Sequence, residues 1–175
     1  MTEEHRLRVT RAGSTIQAVY KVIVVGTDGS DTARVAVQTA TTLASLTGAT
    51  LHVVHAAKRK DPGVISFAAT GGVSELAAAD HNEAIAAESR EICEEAAVEA
   101  RRLGVDVKLH AVPGEPADAL IEVAEAEGAD LIVVGNRRMS GARRFVLGSV
   151  PNTVSHHCPC SLLIADTTSA DHASA

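Results

Sequence analysis

Lys21-Val22-Ile23-Val24-Val25-Gly26-Thr27-Asp28-Gly29-Ser30 is the stretch whose reading decides the fold of this chain. Val22 to Val25 is β-branched throughout and turns no polar side chain toward water. Such a run fits a strand covered on both faces, as in a parallel sheet. Gly26 ends the run, and Thr27 to Gly29 follow as a turn. Ser30 is placed to cap a helix, with Asp31 complementing the dipole of the first turn. Ala33, Ala36, Val37, Ala40 and Ala44 then recur at helical spacing, and Gly48 closes the helix.

The alternation continues along the chain. A second strand, Leu51-His52-Val53-Val54, lies within Ala49 to His55. Ser74 to Leu103 reads as a long helix with Ile85, Ser89, Ile92, Ala96, Ala100 and Leu103 on its buried face, stopped by Gly104. Val105 to Val112 is the third strand. Pro113 to Pro116 makes a turn, with Pro116 suited to the first helical position. Ala117, Leu120, Ile121 and Ala124 mark the next buried helix face, and Gly128 ends it. Leu131 to Val134 is the fourth strand, Val150 to His157 a short helix, and Ser161 to Ala165 the fifth strand. This order predicts an α/β fold. It is a single doubly wound, open, five-stranded parallel sheet, with right-handed crossovers placing helices on both faces. The domain is expected over 20–167, after a flexible N-terminal extension over 1–19 and before a polar tail over 168–175. No internal repeat is visible.

Composition bounds the function. A chain of 175 residues fits one domain with a sizeable core. Aromatic residues make up 2%, with no Trp, so the core is aliphatic and stacking platforms for single-stranded nucleic acid are not expected. A net charge of -6 lacks the broad basic face of a phosphate-backbone binder. No nucleic-acid partner is therefore expected. Three cysteines, Cys93, Cys158 and Cys160, are too few and odd in number for a secreted disulfide framework and fit a reducing cytosol. No apolar run approaches the roughly 18 residues of a membrane span. The first residues lack the apolar middle of a signal peptide. The expectation is a soluble cytoplasmic protein with no membrane partner.

Ligands of open α/β sheets bind beyond the carboxyl ends of the strands, where the strand order reverses. Strand 1 is interior in the common doubly wound arrangements. If the order is 3-2-1-4-5, Gly26-Thr27-Asp28 and Gly135-Asn136-Arg137 flank one crevice. The second of these opens the stretch Gly135 to Ser149, which carries Arg137, Arg138, Arg143 and Arg144 together with Gly141 and Gly148. Its backbone N–H groups can form an anion nest. Gly148-Ser149 opens a helix whose N-terminus favours an anion. Ser149 adds a hydroxyl, and arginines can pair with phosphate in a bidentate way. Asp28 can hold a phosphate-bound metal or a ribose hydroxyl. Neither Gly-X-Gly-X-X-Gly after strand 1 nor a Gly-Lys-Ser/Thr P-loop occurs, which argues against those two nucleotide sites. A surface loop whose glycines serve only turns is the plain alternative.

Other residues weigh less. Ala56 to Gly72 is a long irregular loop, either a binding element or a surface excursion. His156-His157-Cys158-Pro159-Cys160 does not converge as tetrahedral zinc requires, and Cys160 reads as a small core residue. The eight histidines, including His5, His52, His55, His81 and His110, show no paired spacing for a metal, and no metal ligand is assigned. His55 is at most a secondary contact at the crevice. Ser66 and Ser74 lack partners and no Gly-X-Ser-X-Gly elbow exists, so no catalytic residue is assigned. Glu88, Glu91, Glu94, Glu95 and Glu99 read as a solvated helix face.

These residues resemble the universal stress protein family. Its nucleotide signature is Gly, two residues, Gly, nine residues, then Gly and Ser or Thr. Here it aligns as Gly135, Asn136-Arg137, Arg138, Met139 through Leu147, then Gly148-Ser149, with Arg138 in place of the second glycine. Val25 to Ser30 and His157 to Ile164 are also typical, and the similarity spans Tyr20 to Thr167. The resemblance implies strand order 3-2-1-4-5, ATP in one branch, cyclic AMP in some members, and homodimers through the last strand, Ser161 to Ala165. Carried over by position, Gly26, Thr27 and Asp28 flank the nucleotide and the backbone at Ala56 meets adenine. Gly135, Gly148 and Ser149 hold ribose and phosphates, and Val150 adds backbone. Asn136, Arg137, Arg138 and Gly141 belong to the same loop. Should the signature glycine require positive φ, Arg138 costs roughly 1 kcal/mol or more. Alternatively the loop is recast, with Arg138 supplying charge and Gly141 the freedom. The implied function is a dimeric stress-response regulator binding ATP, AMP or cyclic AMP, with Mg²⁺ held through the phosphates. The alternatives are a weak Mg²⁺-dependent ATPase or phosphotransferase, and a member that has lost the nucleotide and acts by protein contacts.

Overall fold

Val22 to Val25 is sandwiched in the sheet as its composition requires. The computed structural model describes residues 19–57, 74–136 and 147–167, with the side chains of 74–82 outside that description. In chain order the elements are β1 (Val22–Gly26), α1 (Asp31–Thr47), β2 (Thr50–Ala57), α2 (Ser74–Arg102), β3 (Val107–Pro113), α3 (Pro116–Ala126), β4 (Leu131–Asn136), α4 (Ser149–His157) and β5 (Ser161–Asp166). The five strands form one sheet of order β3-β2-β1-β4-β5, and every pairing is parallel. The N-terminal extension, the polar tail, 58–73 and 137–146 lie outside the described residues.

The period of two along each strand divides the core into two layers. Ile23, Val25, Leu51, Val53, Leu131 and Val133 face α1 and α2, where they meet Ala36, Val37, Ala40, Cys93 and Ala100. Val24, Val54, Ile132 and Val134 face α3 and α4, where they meet Leu120, Val123 and Val154. Small alanines on α1 let the helix lie close to the sheet. Ser30 caps α1 by accepting from the Ala33 N–H at 3.2 Å. Gly48 ends it with φ 73°, its N–H donating to the Ala44 carbonyl at 2.8 Å. Asp130 ties the start of β4 to the start of β1. Its Oδ2 accepts from the Lys21 and Val22 N–H groups at 2.7 and 3.0 Å, and these bonds hold its carboxyl below the usual range.

Several boundaries differ from expectation. β2 continues to Ala57, so Ala56 belongs to a strand and not to a loop. β3 starts at Val107 because Val105 is still tied to the end of α2, its N–H donating to the Ala100 carbonyl at 3.0 Å. Leu103, expected on the buried face of α2, sits past the helix end and is 47% exposed. The fully buried stripe runs through Ser89, Cys93, Ala97 and Ala100, with Ile92 and Ala96 at its margin. Glu88, Glu91, Glu94, Glu95 and Glu99 are exposed, and two of them pair with Arg101 and Arg102 at the surface. Cys158 and Cys160 are half-buried beside Leu162 and Ile164, and burial, with Cys158 adjacent, pushes the Cys160 thiol up to about 12. A thiol held protonated is a poor metal ligand and nucleophile.

One polar group lies deep in the α3-side layer. His52 is 1% exposed, and its Nδ1 is 3.0 Å from Nε2 of His110. Burial lowers the pKa of both rings, and for His52 the neighbouring His110 adds to the depression while Glu127 opposes it. A histidine held below its ordinary 6.5 makes the folded state bind fewer protons than the unfolded chain. Its stabilising contribution is present above that value and lost as pH falls through the folded pKa values. Urea unfolding at about pH 7.5 and about pH 5.5 should show a lower midpoint in acid, and His110→Gln should shrink the difference. An equal acid loss in the variant would assign it to other groups.

Candidate functional site

A crevice of about 350 Å³ opens at the carboxyl ends of β1 and β4. Its size falls within the roughly 300–1,000 Å³ of small-molecule sites. The crevice exists because β1 leads through α1 to one face of the sheet while β4 leads through α4 to the other. Val54, Leu120 and Val134 give it an apolar floor. The Thr27-Asp28 turn and the N-terminal ends of α1, α3 and α4 form its rim.

Eight of the residues expected at the site line this crevice together: Gly26, Thr27, Asp28, Ala56, Gly135, Gly148, Ser149 and Val150. Asn136 ends β4 outside the lining. Its carbonyl accepts from the Thr167 hydroxyl, and its Oδ1 is buried with no partner among the described residues. Arg137, Arg138 and Gly141 lie outside the described residues. Ser30, Thr32, Pro116 and Pro151 also line the crevice and were not singled out from the sequence. The cap signals at Ser30 and Pro116 were legible, but only the sheet order aims those helix ends at one point.

The turn after β1 is braced from within. The Thr27 N–H donates to the Val54 carbonyl at 2.9 Å, and Thr27 Oγ1 accepts from the Gly29 N–H at 3.2 Å. Asp28 is exposed, and its Oδ1 accepts from the Ser30 N–H at 3.0 Å and from the Ser30 hydroxyl. Gly29 takes φ 76°, which a side chain would resist. Asp28 is thus held at the rim by the cap of α1.

At α4 the backbone itself supplies donors. The first residues of a helix have no intrahelical acceptor for their N–H groups. Gly148 is the N-cap and brings no side chain, and no side-chain cap bond is made there. Pro151, third in the helix, has no N–H. The Asn152 N–H already donates to the Gly148 carbonyl at 3.0 Å. Ser149 and Val150 are left with N–H groups at the positive end of the helix dipole. An anion placed there meets two donors and the Ser149 hydroxyl.

The three glycines differ in kind. A Cβ on Gly135 would meet the Thr32 carbonyl oxygen at 3.1 Å and the Thr167 methyl at 3.3 Å, so this glycine lets α1 pack against the end of β4. On Gly26 its three nearest atoms would all belong to the Leu120 side chain, the closest at 3.2 Å. On Gly148 it would meet Pro151 at an ordinary 3.6 Å, and φ there is −60°. Nothing in the described fold requires a glycine at 148. His55 faces the opposite layer, with Leu51 and Val53, and is absent from the crevice lining. Burial lowers its pKa, against the pull of Asp28 and Glu88.

The universal stress protein family model matches residues 19–166. The chain belongs to the universal stress protein family. Universal stress protein Rv1636 of Mycobacterium tuberculosis H37Rv is 35% identical over 152 residues, covering 86% of this chain and 99% of that one. Universal stress protein YxiE of Bacillus subtilis 168 is 31% identical over 146 residues, covering 83% and 99%. A solved universal stress protein, described as in complex with cAMP, superposes with a TM-score of 0.61 at 32% identity, covering 85% of this chain and 98% of that one. The family and the strand order agree with the resemblance drawn from the sequence. Among the described residues no helix is long and apolar enough to cross a membrane.

The glycine geometry separates packing from ligand approach. Gly135→Val should destabilise the protein by about 1–3 kcal/mol, because backbone at Thr32 cannot yield as a side chain does. Gly148→Ala should unfold within about 0.5 kcal/mol of the parent. Parallel urea titrations check both. Equal losses at the two positions would contradict this division.

Proposed function

We propose that this protein is an adenine-nucleotide-binding regulatory module. The observation that carries the reading is the pairing of an apolar floor with the two N–H donors of Ser149 and Val150 across one crevice. A purine ring needs flat apolar contact and an edge of backbone, which Val54, Ala56 and Leu120 offer. A phosphate needs donors and positive potential, which the start of α4 offers. Asp28, at the opposite rim, suits a ribose hydroxyl. The cAMP-bound relative, at 32% identity, supports this choice of ligand class. Arg137, Arg138 and Gly141, between β4 and α4 in the chain, decide in this reading whether a triphosphate or a monophosphate is preferred.

Asp28 is the only carboxylate in the described lining, which holds no histidine or lysine. Mg²⁺ would then be held mainly by the phosphates, with Asp28 as its one protein carboxylate. A hydrolase needs a positioned base or an activated water. The described lining offers Asp28 alone, which favours binding and release over turnover. Weak Mg²⁺-dependent hydrolysis through Asp28 is the second reading.

The edge strand β5 supports a homodimer through Ser161 to Ala165. Leu162, Leu163 and Ile164 are half-buried there, and an edge strand presents unpaired backbone groups to a second copy. Membership of the universal stress protein family supports a role in stress response. Cytoplasmic residence fits its sparse, free cysteines.

Calorimetry with ATP, ADP, AMP and cyclic AMP should give one site per chain for at least one of them. Gly148→Val, which fills the anion approach, should weaken that binding at least about tenfold, equivalent to about 1.4 kcal/mol. No heat with any of the four would refute the reading. Steady-state phosphate release should stay near background, and robust turnover abolished by Asp28→Ala would favour the enzyme. Sedimentation velocity at micromolar concentration should show a dimer, and a monomer would reject the β5 interface.

A further inference from the structure

The pairing of β2 with β3 joins two histidines that lie 58 residues apart in the chain. Val54 is opposite His110 and His52 opposite Lys108, so His52 and His110 are diagonal neighbours on the α3 side of the sheet. Their ring planes differ by 13°, and His52 Nδ1 lies 3.0 Å from His110 Nε2. Glu127, the C-cap of α3, brings Oε2 to 3.8 Å from the same His52 nitrogen. One donor atom from each of the three residues falls within 4.8 Å of the other two. One ligand is buried and the other two are partly exposed, so the cluster has a floor and an opening.

We propose that His52, His110 and Glu127 form a binding site for a divalent transition metal of the zinc class. Two imidazole nitrogens and one carboxylate oxygen are a donor set that zinc accepts, with a fourth position left for water. Zinc–nitrogen bonds of about 2.0–2.1 Å at a tetrahedral angle put the two nitrogens about 3.3 Å apart. The facing nitrogens are within a few tenths of an ångström of that spacing. In the metal-free pair one ring's N–H donates a hydrogen bond to the other ring's nitrogen. Metal binding moves that proton to the second nitrogen of the donating ring, and both imidazoles stay neutral.

Lys108 is the competing cation. Its Nζ lies 3.1 Å from Glu127 Oε2, and its side chain is 55% exposed. An incoming metal displaces it to solvent, and its charge weakens the site while it remains. Asp106 is the other nearby charge, and it favours a cation. The site lies on α3 at the end opposite Pro116, which lines the crevice. Its occupancy therefore requires no nucleotide.

The test uses the full chain, stripped with a chelator and titrated with Zn²⁺ by calorimetry, with Co²⁺ absorption as a spectroscopic probe. One equivalent should bind in the absence of nucleotide. His110→Ala and Glu127→Gln should each weaken binding at least about tenfold, the lower bound set by losses of supporting residues at metal sites. Lys108→Gln should tighten it, which a merely structural role for these residues does not produce. Cys158→Ser with Cys160→Ser should leave affinity unchanged. Circular dichroism confirms that each variant is folded before titration. Absence of a saturable equivalent overturns the proposal, as does affinity unchanged in His110→Ala or in Glu127→Gln. Loss of binding in the cysteine variant, with a thiolate-to-cobalt band in the parent, also overturns it and moves the metal to the thiols.

Discussion

Everything in this molecule depends on the parallel pairing of β1 with β4, Ile23 to Leu131 through Val25 to Val133. Over a hundred residues separate the partners, and three helical crossovers intervene between them. A right-handed connection leaving β1 on one side carries its helix to one face, and one leaving β4 on the other side carries its helix to the opposite face. The helices diverge and leave a gap at the strand ends. The crevice follows from connection handedness and does not need a dedicated loop to create it. Asp130 reinforces the pairing from the other end of the strands by capping the Lys21 and Val22 N–H groups.

The crevice and the outer edge of the sheet share one piece of backbone. Gly135 pairs with Ala165 and Asn136 with Asp166. Thr167 then closes over the end of β4, its hydroxyl bonded to the Asn136 carbonyl and its methyl against Gly135. A group pressing on Gly135 meets α1 on one side and the end of β5 on the other. In a dimer formed through β5, the ligand pocket would be one strand from the interface. Such a dimer would have a short physical route from occupancy to assembly, since packed interfaces shift in discrete steps.

The fold was legible in the sequence because its strands are too apolar to be anything but buried. Val22 to Val25 and Leu131 to Val134 admit no solvent-facing side, and Gly48 and Pro116 mark helix ends. The rim of the site was legible for a related reason. Gly26-Thr27-Asp28 and Gly148-Ser149 are breaks in regular structure, and breaks at strand ends are where backbone N–H groups are free. Helical spacing carries α2 to Leu103, one residue beyond Arg102, because periodicity does not show that the chain already turns at Leu103-Gly104. Ala56 carries no side-chain signal of a strand, yet β2 extends through it because its backbone keeps pairing with β3.

Sequence by itself determined the element order, the aliphatic character of the core and the glycine-marked turns that line the crevice, because these rest on local periodicity and capping. Only the tertiary structure decided what each glycine does. Gly135 and Gly148 look alike in sequence, yet one is fixed by the Thr32 carbonyl and the other by no contact that excludes a side chain. The structure alone also joined His52 to His110. Their separation of 58 residues carries no pattern, and the register of two parallel strands places their nitrogens within hydrogen-bonding distance. Contacts across a sheet depend on pairing register, which a linear sequence specifies only through the whole fold.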